Sequence, residues 1–531
     1  MSLAYAQSKL IQGTLPALRE HGEQISSIFY ATMLNEHPEL KNYFNSANQA
    51  NGRQPRALTS IIIAFAANIS HTSELVPKLE RVCHKHCSLG IQPDQYAIVG
   101  EYLIRAFSQV LGDAMTDDVR AAWTDAYCVL ARMMMGREAQ LYKSFGAWQT
   151  WRRMRVSKKV AESEDVYSFY LEPTDDSRSQ NECVPVDAPA PRYTNFATRL
   201  RTSNVGRSSS SLGFHSDTEK SDKSDKARLP HYRPGQYVSV RMFIPSTSTY
   251  QSRQYSLSTR YHADHYRISV KRDEGTRFAN TVSASYLNSG LVSNAMIDCI
   301  NAGDCVDVSH PTGEFFAEFG SSSPLVLISA GIGASPMMAI LETVAATQPG
   351  RRVTYIHGSR YSPPVFAGAL QELQKEMPTL RTAFFYSGFA KPPSSSSNSS
   401  ASSSSYTHRS REVLHAMANA HQPGSRRSLY LPLGAHPGGD FGSAPASSSS
   451  SREFQGHVDL QKLLLEKEDL HLDNTSTEYF VCGPESFMLD VAMHLVDELH
   501  ISRQRIRFEL FSTGDLEDRR DSRVASFLGS S

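Results

Sequence analysis

Apolar residues in the first 147 positions recur every three or four residues. Ile25, Ile28, Phe29, Met33 and Leu34 form one stripe, and Leu75, Leu79, Val82 and His86 another. Leu103, Phe107, Val110 and Leu111 repeat the spacing, as do Trp123, Tyr127, Leu130 and Met134. Helix openers sit where that period needs them: Pro93-Asp94 before one stripe, Thr116-Asp117-Asp118 before the next. The pattern predicts an all-α domain over 1–147, with one helix running from Glu74 to Ser88.

The period then changes to two. Gln236–Phe243, Ser252–Ser258 and Tyr266–Lys271 alternate, with turns at Pro234-Gly235 and Gly303-Asp304. A small antiparallel barrel is expected over 148–320. From 321 to 515 short apolar runs alternate with helical stretches. Leu325–Ile328 leads into Gly331-Ile-Gly-Ala-Ser-Pro336, Val353–Ile356 follows, and Tyr479–Val481 leads into Cys482-Gly-Pro-Glu485. That order predicts an α/β doubly wound sheet. The fold class is therefore multidomain. Segments 174–229, 391–411 and 424–453 and the tail 516–531 are polar and Ser-, Gly- or Pro-rich, and read as disordered insertions and a disordered tail.

Composition narrows the function. The chain has 531 residues, so several domains are expected. Lys+Arg and Asp+Glu both number 54, which leaves no cationic excess for phosphate binding and argues against nucleic acid as a partner. No stretch approaches the length of an integral membrane segment. The first ten residues lack the pattern of a secretory signal, and seven cysteines without framework spacing suit a reducing compartment. A cytoplasmic protein is expected.

Candidate chemistry begins at His86, which shares the apolar face of its predicted helix with Leu75, Leu79 and Val82. His84 points about 160° away. A lone histidine on such a face is more often a core residue than a ligand. Cys83-His-Lys-His-Cys87 suggests zinc, but one helical turn cannot converge Cys83, His84, His86 and Cys87 on one ion. The Gly331-Ile332-Gly333-Ala334-Ser335-Pro336 run follows a strand and opens a helix, a place where backbone N–H groups meet phosphate. Ser335 suits an N-cap and Pro336 the first helical position. Pro55 sets the expected start of another helix at Gln54. Arg360, after His357-Gly-Ser, reads equally well as a 2′-phosphate ligand or as an ordinary surface charge.

The run Asn48-Gln-Ala-Asn-Gly-Arg-Gln54, followed by Lys85-His86 and Gln95-Tyr96, resembles the globin domain of the flavohaemoglobins. The resemblance implies that His86 is the proximal ligand of a haem b iron, in a relay with Tyr96 and Glu138. It implies a distal Tyr30, Gln54 and Leu58, with Phe44 packing on the haem. Arg233-Pro-Gly-Gln-Tyr237, Arg253-Gln254-Tyr255-Ser256, Val270-Lys-Arg272 and His310-Pro-Thr-Gly-Glu-Phe-Phe316 appear in the order of the family's FAD domain. Arg253 would then pair with the FAD pyrophosphate, Tyr255 would lie on the ring, Ser256 near its N5, and Tyr237 on the other side. Gly275-Thr-Arg-Phe-Ala-Asn280 keeps the family's glycine but lacks its Val-Ser pair. Cys482 and Gly483 match residues that flank the nicotinamide. Phe508-Glu-Leu-Phe511 matches the terminal segment, with Glu509 and Phe511 covering the flavin; Ser512-Thr513 stand where the family has Gly-Pro.

The likeness implies an NAD(P)H-dependent nitric oxide dioxygenase with haem b, FAD and NAD(P)H. Electrons would pass from NAD(P)H to FAD to haem, with O₂ and NO as small-molecule partners and a monomer as the expected state. Two other readings stand beside it. An oxygen carrier or sensor would show haem reduction without NO turnover. A flavin reductase serving another acceptor would show no Soret band.

Overall fold

The computed structural model describes residues 3–45, 49, 52–71, 75–174, 228–277, 286–287, 290–388, 451–463 and 469–511. Most of the three expected insertions, and all of the tail, lie outside these residues.

Among the described residues six helices form the first layer: α1 (Tyr5–Gly13), α2 (Leu15–Glu36), α3 (Arg53–Ala67), α4 (Val76–Leu89), α5 (Gln95–Leu111) and α6 (Asp117–Ser144). The stripes read from the sequence point inward. Ile25, Phe29, Met33, Leu79, Phe107 and Trp123 are buried in one core, each contributing about 1.5–3 kcal/mol of transfer free energy at most. Thr116 caps α6, its hydroxyl accepting from the Val119 N–H at 3.3 Å. The helix α3 opens at Arg53, one residue before the expected Gln54, because Gly52 at φ 73° turns the chain into it.

The second body is antiparallel. Strands β1 (Arg152–Ala161), β2 (Val166–Pro173), β3 (Tyr237–Ile244), β4 (Thr249–Ser256) and β5 (Tyr266–Lys271) join a two-residue pair, β6 (Thr276–Arg277) and β7 (Tyr286–Leu287), and then β8 (Cys305–Val308). The main sheet runs β4-β3-β8-β1-β2-β5. A bridge between Leu257, just past β4, and Ile268 in β5 closes it into a barrel. Two expectations need correction here. Helix α7 (Leu291–Cys299) interrupts the β region and buries Val292, Met296 and Ile297 in the barrel core. Leu229, assigned to an insertion, is a buried barrel residue whose N–H bonds Ala263 O.

The third body is wholly parallel: β9 (Leu325–Ala330), β10 (Val353–Ser359), β11 (Leu380–Tyr386), β12 (Ser451–Gln455), β13 (Glu478–Cys482) and β14 (Ile506–Glu509), in the order β12-β11-β10-β9-β13-β14. Helices α8 (Ala334–Thr347), α9 (Ala367–Glu376) and α10 (Glu485–Met493) cover it. The order reverses between β9 and β13, which makes a crevice at their carboxyl ends. Strand β12 corrects the insertion expected over 424–453. Its residues pair in register with Thr382–Tyr386, and this pairing, which no local apolar run announces, makes them a strand.

All described residues fall in one compact unit. Helix α4 lies on the barrel: Ser239 Oγ donates to Ser88 Oγ at 2.9 Å, and Gly313 N donates to His84 Nδ1 at 3.2 Å. The barrel meets the parallel sheet through Glu342 of α8, which accepts from Thr259, the Arg260 N–H and Arg267.

Candidate functional site

His86 is held by a buried carboxylate. Its Nδ1 lies 2.9 Å from Glu138 Oε1 and 3.0 Å from the Tyr96 hydroxyl, which donates to the same Oε1 at 2.6 Å. Glu138 is only 3% exposed. Tyr127 donates in turn to Tyr96 O at 2.5 Å. Burial and the neighbouring Glu138 push the Tyr96 hydroxyl pKa well up, so it remains a donor. With Nδ1 engaged, Nε2 has no bonding partner among the described residues. A histidine fixed in this way presents one nitrogen in a set orientation, which suits a metal ligand.

Tyr30, Phe44 and Leu58 share that core. The Tyr30 and Phe44 rings meet edge to face at 5.5 Å. The Gln54 side chain bonds the Tyr30 hydroxyl, whose pKa burial raises. Pro55 therefore does not turn Gln54 away. The zinc reading of this helix finds no support. Cys83 donates to Met134 O and Cys87 to Glu138 O, while His84 faces Glu80 and the barrel.

On the barrel, the motif at the end of β4 is inward and under-partnered. Tyr255 Oη and Ser256 Oγ are buried without hydrogen-bond partners, a state that costs about 1–3 kcal/mol each unless a ligand relieves it. Arg253 donates to Ser252 O at 2.7 Å, and burial lowers its pKa. Gln254 Nε2 donates to Ser239 Oγ at 3.0 Å. Tyr237 bonds Thr312 and Ser88. These orphaned polar groups, a half-buried cation and aromatic rings fit a flavin nucleotide. Residues 278–280 of the following loop lie outside the described residues.

At the crevice of the parallel sheet, the two strand–turn–helix motifs converge. A Cβ on Gly333 would stand 2.2 Å from Cys482 O, so only glycine lets the loop lie on Cys482-Gly483. The expected N-cap at Ser335 is not formed. A 3₁₀ turn over Gly331–Gly333 runs straight into α8, which starts at Ala334 with Gly333 at its cap. Ser335 sits inside the first turn and Pro336 follows it, with the Ser335 hydroxyl buried and unpartnered. Ile332 is half-buried and Ala334 fully buried beside it. A helix N-terminus with an unpaired hydroxyl suits a pyrophosphate. Burial drives the Cys482 thiol pKa far up, which keeps the sulfur uncharged.

Glu509 ends β14 next to Cys482 in register. Its surroundings push its pKa up to about 8, burial first, with Glu314 adding and Arg81 opposing. Phe511 is 46% exposed.

Several residues here were given no role by the sequence. Lys85 adjoins His86, and burial together with Arg253 lowers its pKa to about 8. Ser88 ties the His86 helix to Ser239 and Tyr237. His357 is fully buried, with Nδ1 2.9 Å from Ser329 Oγ and Nε2 unpartnered; burial and Lys271 lower its pKa to about 4. The only sequence signal for Lys85 and Ser88 was that they flank His86. None of the described helices is long and apolar enough to cross a membrane.

The chain is similar to known proteins along most of its length. A globin family model matches residues 27–134, a span that includes Tyr30, Gln54, His86 and Tyr96 but not Glu138. A flavohemoprotein of Bordetella parapertussis is 31% identical over 95% of this chain and 97% of its own. One from Bacillus subtilis is 31% identical over 95% of this chain and 96% of its own. Among solved structures, a flavohemoglobin from Malassezia yamatoensis with bound FAD and heme superposes with a TM-score of 0.64 at 24% identity. It covers 96% of this chain and 100% of its own.

Proposed function

The chain belongs to the flavohemoprotein family, and from that premise we propose that it is an NAD(P)H-dependent nitric oxide dioxygenase. Two nitric oxide, two dioxygen and one NAD(P)H would give two nitrate, NAD(P)⁺ and a proton. The observation that carries this reading is the double clamp on His86 Nδ1. A carboxylate partner makes the imidazole more basic, which favours oxygen activation over reversible storage.

The residues fit haem b, FAD and a nicotinamide nucleotide. The relative from Malassezia yamatoensis holds the first two. When bound, these groups supply hydride acceptance, one-electron transfer and oxygen chemistry, which side chains cannot provide. This chain's residues hold and orient. We assign His86 as the iron ligand, with Tyr96 and Glu138 fixing its tautomer. The Tyr30 hydroxyl, set by Gln54, donates a hydrogen bond to charge developing on the oxygen substrate. Phe44 and Leu58 keep that side apolar. Arg253 and Gln254 hold the flavin's phosphate end, and Tyr237, Tyr255 and Ser256 its ring. Gly331 to Pro336 receive the nicotinamide nucleotide's pyrophosphate, with Cys482 and Gly483 beside its ring. Glu509 and Phe511 close over the flavin. Ser88, two residues from His86, touches the barrel wall at Ser239 and Tyr237, which supports direct electron passage between the two sites.

The test is anaerobic addition of NAD(P)H followed by a pulse of NO and O₂, read at the Soret band and as nitrate formed. The expected result is repeated cycling with two nitrates per nucleotide. Haem reduction without nitrate would favour an oxygen-binding globin, and nucleotide oxidation with no Soret response a reductase for another acceptor.

A further inference from the structure

We propose that the reductant is NADPH rather than NADH, selected by Arg360 acting on the 2′-phosphate; this rests on the nicotinamide-nucleotide reading above. Nucleotide folds of this class place the ribose at the carboxyl end of the strand next to the glycine loop. There an Asp or Glu accepts from the 2′-hydroxyl of NAD, or an arginine receives the 2′-phosphate of NADP. In this chain that strand is β10. Gly358 pairs in register with Ala330, the residue immediately before Gly331. Ser359 and Arg360 therefore leave the sheet one strand spacing, about 4.8 Å, from the glycine loop.

The strand end itself carries a cation and no carboxylate. No Asp or Glu occurs between Glu342 and Glu372. The approaching loop after β12 brings Val458 against Gly358, but the next residue, Asp459, turns its Oδ1 to the Gln461 N–H at 3.0 Å. Arg360 is exposed, and its guanidinium has no ion-pair or hydrogen-bond partner among the described residues. Its backbone, by contrast, is held. Gly388 N donates to Arg360 O at 2.8 Å, and Ser359 Oγ donates to Tyr361 O at 2.9 Å. A fixed backbone with an uncommitted fork suits a phosphate dianion. Tyr361 follows, 45% exposed, and offers a ring face to the adjoining adenine. A Cβ at Gly358 would come 2.9 Å from Val458 Cγ2, so glycine lets the loop after β12 pack against this strand end.

The test separates nucleotide recognition from turnover. Binding of 2′,5′-ADP and of 5′-AMP is measured calorimetrically on the holoenzyme, wild type and Arg360→Ala. Reduction of the flavin by NADPH and by NADH is followed anaerobically in the same proteins. Wild type should bind 2′,5′-ADP about tenfold or more tightly than 5′-AMP. Arg360→Ala should lower both that ratio and the NADPH-to-NADH ratio of kcat/KM by about tenfold to a hundredfold, the worth of one charge-assisted contact. Arg360→Lys should restore part of it. Equal affinity for the two adenosine nucleotides in wild type, or ratios unmoved by Arg360→Ala, would overturn the assignment. If neither dinucleotide reduces the flavin, the oxidoreductase reading itself fails, while the 2′,5′-ADP titration still decides the role of Arg360.

Discussion

Replacing Glu138 by Gln keeps the shape of the His86 clamp and removes its charge. In the native arrangement one carboxylate oxygen accepts from both Tyr96, at 2.6 Å, and His86 Nδ1, at 2.9 Å. Hydrogen bonds to a charged acceptor contribute about 1.5–3 kcal/mol each, against about 0.5–1.5 for neutral ones. The substitution should therefore weaken the pair by about 2 kcal/mol. Glu138 is almost wholly buried, so solvent does not screen this difference. The part felt differently by oxidised and reduced iron appears as a potential. About 1.4 kcal/mol corresponds to about 60 mV for one electron. Glu138→Gln should raise the haem midpoint potential by that order and lower NO turnover about tenfold. Reduction of the flavin by NAD(P)H should be untouched, because among the described residues the Glu138 carboxylate bonds His86 and Tyr96 and none of the nucleotide motifs. A spectroelectrochemical titration and a nitrate assay on the same protein read all three. An unchanged midpoint potential would refute the claim that the carboxylate acts through His86.

Tyr30→Phe removes the donor that Gln54 orients, and O₂ dissociation measured by stopped flow should quicken about tenfold. Glu509, with a pKa near 8 against 4.5 for the free side chain, favours folding while protonated. That contribution is complete below about pH 4.5 and is lost as pH rises through 8. Thermal midpoints from pH 5 to 9 should therefore decline more steeply for wild type than for Glu509→Gln, and parallel curves would contradict the shift. Gly333→Ala puts a methyl group against Cys482 O. It should cost about 1–3 kcal/mol by overpacking and raise the KM for NAD(P)H, read by melting and steady-state kinetics.

Local pattern carried much of this fold. The three-and-four spacing gave the helices, the alternation gave β3 to β5, and Leu325–Ile328 before Gly331 gave β9. Those signals are local because each element buries one face, and burial writes its period into consecutive residues. Motif order was legible for a similar reason, since His86, Arg253 to Ser256 and Gly331 to Gly333 each lie within a few residues. Ser451–Gln455 could not be read as a strand because it is an edge strand made by pairing with β11, with only partly buried side chains. Helix α7 was missed because its three buried residues answer to the barrel core and not to a long stripe of their own.

The tertiary structure decided what the elements do to one another. Tyr96 and Glu138 stand 10 and 52 residues from His86, and only the packing of α4, α5 and α6 brings them to one nitrogen. Gln54 meets Tyr30 because α3 crosses α2, a contact that Pro55 alone did not foretell. The sequence could place Arg360 at a strand end, with two readings equally open. The register of β10 on β9 sets Arg360 one strand from the glycine loop, and the proposal that it meets a 2′-phosphate rests on that placement.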